Sequence, residues 1–315
     1  MIRIWGADKV ANPVAFALRP LIVAADRLEA GVLRLIKPPH RPHDCGFIFA
    51  TTGALYTVLA RRAARTLRKV MPDAQIDIFT DQDFSDPTFS QIHRLGDSHA
   101  RPKMEALRRS RFEKTVYLDA DIVVLADLSE LFALLDKADL AACQGWGRGE
   151  VYLGEGIMPR AFPMLNSGVL AIRSSRNSRA FLKEWENRVK STNASLDQGM
   201  LRQLLYDSNL PFLVLPLEYN MIFIGLLGVW ENKMGAPRVL HFKKLHNGDP
   251  GNPEEPLDAM ALLGPNRASR LAELIENDSS FGRAPFNTRA AATATGGSRW
   301  QRALRRMLGH WGGLF

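Results

Sequence analysis

Two carboxylates separated by one residue follow an apolar run with the composition of a buried strand. Asp119 and Asp121 lie in the sequence TVYLDADIVVL. Because ligands collect at the carboxyl ends of parallel strands, both side chains are placed where they can converge on one cation. Two close carboxylates repel each other unless a cation or a proton compensates, and hard oxygen ligands suit Mg²⁺ or Mn²⁺. The D-x-D spacing alone is common and also fits a solvated turn, so its interpretation depends on the surrounding elements.

Those elements alternate between apolar and amphipathic runs. Residues 47–51 and 76–80 are predicted strands, and a helix is predicted between them, starting at Gly53 and ending near Met71. The order strand, helix, strand predicts a parallel unit with a right-handed crossover. Further strands are predicted at 114–118, 122–125, 139–143, 164–172, 212–215 and 238–242, and further helices at 103–110, 130–137, 178–190 and 197–206. We therefore predict an α/β fold with a mainly parallel central sheet and flanking helices, and an irregular segment over residues 81–101.

Six motifs in this region resemble, in the same order, those of the GT-A-fold nucleotide-sugar glycosyltransferases. The resemblance is to the family 8 group, which includes glycogenin and the bacterial lipopolysaccharide galactosyltransferases. The motifs, between residues 45 and 249, are FIFATTGALYTVLARRAARTLRKVMP, RPKMEALRRSRFEKTVYLDADIVVL, LNSGVLAIRSS, LDQGMLRQLL, LPLEYN and VLHF. The resemblance implies the GT-A fold, a Rossmann-like nucleotide-diphospho-sugar transferase fold. It also implies metal-dependent, retaining transfer from a UDP-sugar to a hydroxyl of a saccharide or lipid-linked acceptor, as in cell-envelope glycan or lipopolysaccharide synthesis.

The resemblance implies roles for individual residues as well. Asp119, Asp121 and His241 would hold Mn²⁺ or Mg²⁺, and the catalytic residues Asp197 and Gln198 would flank the anomeric carbon. The residues that would bind the donor are Ala50, Thr51, Thr52, Tyr56, Lys103, Asn166, Ser167, Gly168, Lys243 and Lys244. Taken alone, Asp197 also fits a helix N-cap, and His241 also fits an ordinary polar position at a strand end.

The segment after His241 departs from the family pattern. The family follows its metal histidine with a glycine and then Lys-Pro-Trp, whose lysine binds the diphosphate. Here the sequence is HFKKLHNGDPGNP, without Lys-Pro-Trp. Lys243, Lys244 and His246 are the alternatives for that contact, and the sequence does not choose among them.

Positive charge is concentrated at the two ends of the chain. The net charge is +8; residues 1–44 contribute +3 and residues 283–315, with six arginines and no acid, contribute +6. Residues 45–282 are left with −1, which argues against a broad nucleic-acid-binding face. We predict three parts: a helical arm over 1–44, the GT-A domain over 45–282, and a linker plus a basic amphipathic helix over 283–315.

The C-terminal helix has the pattern of a helix that lies on a membrane surface. Trp300, Leu304, Leu308 and Trp311 recur at helical spacing, and arginines fill the opposite side. Such a helix can place its aromatic face at the headgroup boundary while the arginines meet anionic phosphates; docking on the domain or on a second protomer is the alternative. The sequence shows neither a transmembrane segment nor a signal peptide, so the predicted location is cytoplasmic, with peripheral contact at the inner membrane face.

The sequence also permits two other functions, and it permits two interpretations of one loop. A nucleotidyltransferase of related fold is one alternative, although such enzymes open with a glycine-rich turn of which ATTGALY is a poor version. A non-catalytic membrane-surface adaptor using the C-terminal helix is the other. The glycine-rich segment 144–156, with Trp146 and Tyr152, is either a lid over the acceptor or an ordinary surface loop.

Overall fold

The computed structural model describes residues 44–96, 101–145, 158–159, 161–192 and 197–281. The predicted N-terminal arm, most of the predicted acceptor lid and the predicted C-terminal helix lie outside these residues. The division of the chain at residues 44 and 282 therefore stays a prediction. Within the described part, no helix combines the length and the apolar character needed to cross a membrane.

A seven-stranded sheet forms the centre of the described domain, and a two-stranded sheet lies beside it. The strands are β1 Cys45–Thr51, β2 Ile76–Thr80, β3 Gln91–Arg94, β4 Lys114–Leu118, β5 Ile122–Val124, β6 Leu140–Gln144, β7 Leu165–Arg173, β8 Phe212–Leu215 and β9 Val239–His241. The large sheet has the order β3-β2-β1-β4-β7-β6-β8, and β5 pairs with β9. Only β7 runs against its neighbours in the large sheet; the other pairings there are parallel. The predicted α/β fold with a mainly parallel sheet is confirmed.

Helices cover both faces of the large sheet. They are α1 Ala54–Val70, α2 Lys103–Arg109, α3 Glu130–Leu134, α4 Arg176–Thr192, α5 Gln198–Asp207, α6 Ala259–Leu263 and α7 Pro265–Asn277, with 3₁₀ turns at Leu217–Tyr219, Ile224–Gly228 and Lys243–Asn247. Alternate residues of a strand point to opposite faces, and β1 shows this directly. Phe47 packs in the core with Leu59 of α1, whereas Ile48 packs in a second core with Trp185 of α4. Burial on both faces explains why β1 is apolar along its whole length.

Two parts of the observed fold differ from the sequence expectation. Residues 81–101 were expected to be irregular, but Gln91–Arg94 forms β3, which pairs with β2 at the edge of the sheet. Three of its four residues are exposed, so the strand is polar and lacks the apolar pattern of a buried one. No helix is predicted between residues 243 and 282, yet α6 and α7 form there. The Asp258 side chain caps α6 by accepting from the backbone N–H groups of Met260 and Ala261.

The carboxyl ends of β1 and β4 lie side by side because these strands pair in parallel. After β1 the chain turns into α1 at Gly53, whose φ of 82° is a left-handed conformation that favours glycine. The Gly53 N–H donates to Asp81 Oδ1 at 2.8 Å, which fixes this turn to the end of β2. After β4 the chain reaches Asp119, whose N–H donates to the Gly168 carbonyl oxygen at 2.8 Å. The turns that follow β1 and β4 therefore lie at the carboxyl ends of these strands, and Asp119 is held there against β7.

Candidate metal and donor-binding site

Asp119, Asp121 and His241 meet in space because β5 pairs with β9. Ile122, next to Asp121, lies opposite His241 in this pairing. One ligand atom from each of the three side chains lies within 4.8 Å of the other two. His241 Nε2 is 3.1 Å from Asp121 Oδ2 and 4.0 Å from Asp119 Oδ2. The structure thus brings together all three residues predicted as metal ligands.

The chemistry of these three residues fits a divalent cation. Among the described residues, Asp121 Oδ2 is a buried oxygen that accepts no hydrogen bond of acceptable geometry, although His246 Nε2 lies 2.9 Å away. A buried carboxylate oxygen is unfavourable unless positive charge approaches it. Two carboxylates and one imidazole are ligands that Mn²⁺ accepts, and the carboxylates alone suit Mg²⁺.

Neighbouring histidines keep the Asp121 carboxyl ionised. Burial alone would raise the pKa of Asp121, but the charge of the nearby His241 and His246 imidazoles outweighs it and holds that pKa well below its usual range. In return, the nearby Asp121 carboxylate raises the pKa of His246 above its ordinary value. The Asp121 carboxyl therefore stays ionised, and a divalent cation can neutralise it.

Of the three alternatives for the diphosphate contact, His246 is the one placed beside a metal ligand. Its ring also meets Tyr56 edge-on, with 5.3 Å between the ring centroids. Lys244 Nζ donates to the carbonyl oxygen of Leu262 at 2.5 Å. Lys243 Nζ lies 6.0 Å from the ring centroid of Phe223.

The other oxygen of Asp119 is held by two buried donors. The Tyr117 hydroxyl donates to Asp119 Oδ1 at 2.7 Å, and Lys103 Nζ lies 3.4 Å from the same oxygen. Burial, together with Asp119, raises the pKa of Tyr117 well above its ordinary value, so the hydroxyl keeps its proton. Asp119 Oδ2 is thereby left as the oxygen directed toward His241 and Asp121.

Lys103 is buried and joins the metal ligands to Asp197. Its Nζ donates to Ser167 Oγ at 2.9 Å and to the Ser167 carbonyl oxygen at 3.2 Å, and it lies 3.2 Å from Asp197 Oδ2. Burial alone would lower the pKa of Lys103, but Asp119 and Asp197 outweigh it and raise that pKa. The ammonium group therefore stays charged and serves as a shared counterion for two carboxylates.

Asp197 stands at the start of α5, yet its side chain does not cap the helix. Instead, Asp197 Oδ2 accepts from the Ser167 hydroxyl at 3.2 Å, in addition to its ion pair with Lys103. Burial alone would raise the pKa of Asp197, but Lys103 and Arg101 outweigh it and lower that pKa. A buried, ionised carboxylate thus lies one residue before the half-buried Gln198.

The Asn166-Ser167-Gly168 motif on β7 forms the wall of the metal site. A Cβ atom on Gly168 would lie 2.6 Å from His241 Cε1 and 2.9 Å from Asp119 Oδ2, so the absence of a side chain lets the metal ligands approach. Asn166 Oδ1 accepts from the Gly168 N–H and from Asn220 Nδ2, both at 2.8 Å. Asn220 Oδ1 in turn lies 2.9 Å from His241 Nδ1.

The residues predicted to surround the nucleotide differ in accessibility. Ala50 and Thr51 are buried, Thr52 is half-buried and the Tyr56 side chain is exposed. The Thr51 hydroxyl lies 3.0 Å from the hydroxyl of Thr57, which sits one turn into α1. Thr52 and Tyr56 are therefore the predicted nucleotide contacts that are open to a ligand.

Asn220 and His246 are site residues whose positions sequence reasoning did not anticipate. Asn220 lies in the motif LPLEYN, but nothing in the motif indicates that its amide reaches His241. His246 was only one of three alternatives, because the sequence does not show how the 3₁₀ turn Lys243–Asn247 directs its side chains.

Comparisons with known proteins agree with this geometry. Residues 113–249 match the sequence profile of a family described as nucleotide-diphospho-sugar transferase. Over 137 residues the chain is 34% identical to a probable glycosyl transferase Gly of Streptococcus gordonii, a match covering 41% of this chain and 18% of that relative. The chain thus matches less than a fifth of the length of this curated relative.

The chain also aligns with solved glycosyltransferase structures. The glycosyltransferase GlyE of Streptococcus pneumoniae TIGR4 aligns with 72% of this chain and 63% of its own, at 20% identity and a TM-score of 0.47. A galactosyltransferase, LgtC, solved with donor and acceptor sugar analogs, aligns with 78% of this chain and 99% of its own, at 18% identity and a TM-score of 0.48.

The described domain has the α/β fold predicted from the sequence, and residues 113–249 match the nucleotide-diphospho-sugar transferase family. The predicted resemblance to glycosyltransferases is confirmed by this match and by the curated relative. The matched segment, residues 113–249, contains the three candidate metal ligands together with Asn166, Asp197 and Asn220.

Proposed function

We propose that this protein is a metal-dependent glycosyltransferase of the family 8 type, which moves a sugar from a UDP-linked donor to a hydroxyl acceptor. The observation that supports this most directly is the convergence of Asp119, Asp121 and His241, with the buried Asp121 Oδ2 accepting no hydrogen bond from the described residues. A divalent cation held there, Mn²⁺ or Mg²⁺, would neutralise the charge that develops on the departing diphosphate.

The remaining side chains fit the needs of the transfer. In this reaction the bond between the anomeric carbon and the diphosphate oxygen breaks, the acceptor oxygen bonds to that carbon, and the acceptor proton passes to the diphosphate. Asp197, ionised and buried, is positioned to stabilise positive charge on the sugar, and Gln198 adjoins it. His246 takes the diphosphate contact that a lysine provides in the family, since it alone of the three alternatives adjoins a metal ligand. Thr52 and Tyr56 lie on the nucleotide side.

The metal site is tested by Asp121→Ala in an assay of UDP release across a panel of UDP-sugars. Loss of a charged ligand at the departing group is expected to lower the Mn²⁺-dependent rate by on the order of 100-fold or more. Asp83→Ala is the matched control, because the Asp83 side chain is 93% exposed and pairs with a surface arginine, Arg94. Undiminished, metal-stimulated transfer by Asp121→Ala would show that the metal site is misassigned.

The stereochemistry of the transfer and the identity of the acceptor are tested by separate measurements. Retention at the anomeric carbon, which the family resemblance implies, is read from the anomeric configuration of the product by NMR. The acceptor, proposed to be a saccharide or a lipid-linked hydroxyl of the cell envelope, is found by transfer to a panel of such acceptors. Because the UDP-release assay works without an acceptor, failure to find the acceptor does not obscure the test of the metal site.

We further propose that the basic C-terminal segment holds the enzyme on an anionic membrane surface at the inner face of the membrane. The supporting observation is the sequence pattern of 283–315, with six arginines, no acid and two tryptophans at helical spacing. In liposome flotation, the full chain is expected to bind vesicles containing anionic lipid, while a chain ending at Arg283 stays unbound. Neutral vesicles are the matched control, since both versions should leave them unbound. Equal binding by the shortened chain would refute the role of this segment.

A further inference from the structure

A chain of hydrogen bonds leads from the backbone of β7 to the imidazole of His241. Its members are the Gly168 N–H, the Asn166 side chain, the Asn220 side chain and His241 Nδ1, joined by contacts of 2.8, 2.8 and 2.9 Å. Asn166, Asn220 and His241 are all buried, so neither amide can turn freely toward water.

The direction of every bond in this chain follows from its first donor. A backbone N–H can only donate, so the Asn166 atom facing Gly168 is the carbonyl oxygen, Oδ1. The same Oδ1 faces the Asn220 side chain, which must therefore present its NH₂ group there. The remaining Asn220 atom, Oδ1, faces His241 and can only accept. The proton of a neutral His241 imidazole must then reside on Nδ1.

We propose that Asn220, oriented by Asn166, is a positioning residue that fixes His241 as the Nδ1–H tautomer. Nε2 is then unprotonated and directs its lone pair at the two carboxylates, which is the form in which an imidazole binds a metal ion. This inference rests on the proposed metal site. It gives a role to Asn220, for which the family resemblance implied none.

The surroundings of Nε2 fit a metal ligand. His241 Nε2 lies 3.1 Å from Asp121 Oδ2, and that oxygen accepts no hydrogen bond of acceptable geometry from the described residues. An unprotonated Nε2 and this carboxylate oxygen can therefore share a cation between them.

The test uses two measurements, one of the His241 tautomer and one of the affinity for Mn²⁺. The ¹⁵N NMR spectrum of the histidine rings is recorded for the metal-free protein, above the pH at which the His241 signals titrate in the same spectra. Wild type is expected to show a protonated Nδ1 and an unprotonated Nε2. Mn²⁺ binding is measured by EPR titration of free Mn²⁺, with no donor or acceptor present.

Three variants distinguish the effect of the hydrogen bond on the His241 tautomer from the effect of side-chain packing. Asn220→Leu removes the acceptor and is expected to shift His241 toward Nε2–H and to weaken Mn²⁺ binding by roughly 10–100-fold, the range for outer-shell partners of metal ligands. Asn166→Leu is expected to act in the same direction, because Asn220 is then free to turn its NH₂ toward His241. Asn166→Asp keeps an oxygen that accepts from both the Gly168 N–H and Asn220 Nδ2, and it should retain both the Nδ1–H pattern and Mn²⁺ affinity within a few-fold of wild type. Asn232→Leu, at an exposed asparagine paired with Glu273, is the control.

The outcomes distinguish this inference from the proposed function. Unchanged ring spectra and Mn²⁺ affinity in Asn220→Leu would overturn the inference. An equal loss of affinity in Asn166→Asp and Asn166→Leu, with the Nδ1–H pattern intact in Asn166→Asp, would also overturn it, because packing would then explain the loss. A wild-type protein that shows the Nδ1–H pattern but binds no Mn²⁺ would support the tautomer assignment and contradict the metal site of the proposed function.

Discussion

Gly168 shows how a single position sets the spacing of the metal ligands. The motif Asn166-Ser167-Gly168 was predicted to contact the donor sugar, with the glycine permitting close approach. The close approach in the structure is to protein atoms, since the position of a Gly168 Cβ lies 2.8 Å from His241 Nδ1 and 2.9 Å from Asp119 Oδ2. Contact with the sugar stays a prediction, whereas the packing against the ligands is already in place.

Gly168→Ala is expected to weaken Mn²⁺ binding at least about 10-fold, because His241 or Asp119 must move away from the added methyl group. The measurement is an EPR titration of free Mn²⁺ in the absence of donor. Gly228→Ala is the matched control, since a Cβ at Gly228 meets no atom within 4 Å. If Gly168→Ala binds Mn²⁺ as tightly as this control, the ligands do not need the space that glycine leaves.

For individual residues, the sequence predicted which side chains converge but not the hydrogen bonds and ion pairs that hold them. Asp119, Asp121 and His241 were predicted from motif order, and they converge. The amide of Asn220 and the shared counterion Lys103 were beyond prediction. Their contacts depend on side-chain directions in elements that are distant in sequence. Lys103 of α2 and Ser167 of β7, for example, are 64 residues apart.

The strand β1 packs closely against the ring of Phe112, beside the strand β4 that leads to the proposed metal site. In β1, a Cβ on Gly46 would lie 2.3 Å from two ring atoms of Phe112, which is almost fully buried. Gly46 pairs with Thr115 of β4, the strand that ends just before Asp119. The ring of Phe112 thus occupies space that a side chain at Gly46 would need, next to the strand leading into the metal site.

Gly46→Ala is expected to destabilise the domain by about 1–3 kcal/mol, the usual range for overpacking a filled core. The free energy of unfolding is measured by urea denaturation for Gly46→Ala, Phe112→Leu and the double variant. Because the smaller leucine gives the new methyl group room, the double variant should lose less than the sum of the two single losses. Strictly additive losses would contradict the contact between these positions.

The strands with a strong apolar pattern were predicted from the sequence, and the strand with a weak apolar pattern was not. The buried strands β1, β2 and β4 each contain a cluster of apolar residues and were predicted within two residues of their observed ends. The edge strand β3 has polar residues because only one neighbour and little core contact it. The pairing of β5 with β9, which creates the metal site, joins residues more than 100 positions apart and has no local signal.

In the whole described domain, α1 connects the predicted nucleotide contacts to the segment that follows His241. Arg61 and Arg65 donate to the buried Asp86 at 2.7 and 2.8 Å, and both also pair with Glu254. Arg62 donates to the Pro250 carbonyl oxygen at 2.6 Å. The arginine-rich sequence of α1 would fit a solvent-exposed helix face, but these contacts span up to 194 residues and hold two loops against the helix.

Asp86 makes this arrangement sensitive to acid. Burial alone would raise the pKa of Asp86, but the hydrogen bonds from Arg65 and Arg61 outweigh it and lower the pKa from 3.8 to about 2. A carboxyl whose pKa is lower in the folded state contributes stability above its unfolded pKa and loses it as the pH falls through the folded pKa. The contribution, about 2 kcal/mol by this linkage, is therefore complete at neutral pH and fades between about pH 4 and pH 2.

Asp86→Asn is accordingly expected to lose about 2 kcal/mol of unfolding free energy at neutral pH. Its stability should also fall less steeply than that of wild type between about pH 4 and pH 2, because the titrating group is gone. Urea denaturation at a series of pH values measures both effects. Asp83→Asn is the matched control: its pair with Arg94 is exposed on both sides, and such pairs contribute only about 0–1 kcal/mol. Parallel stability curves for Asp86→Asn and wild type across this range would exclude the buried arginine pairs as the origin of the acid sensitivity.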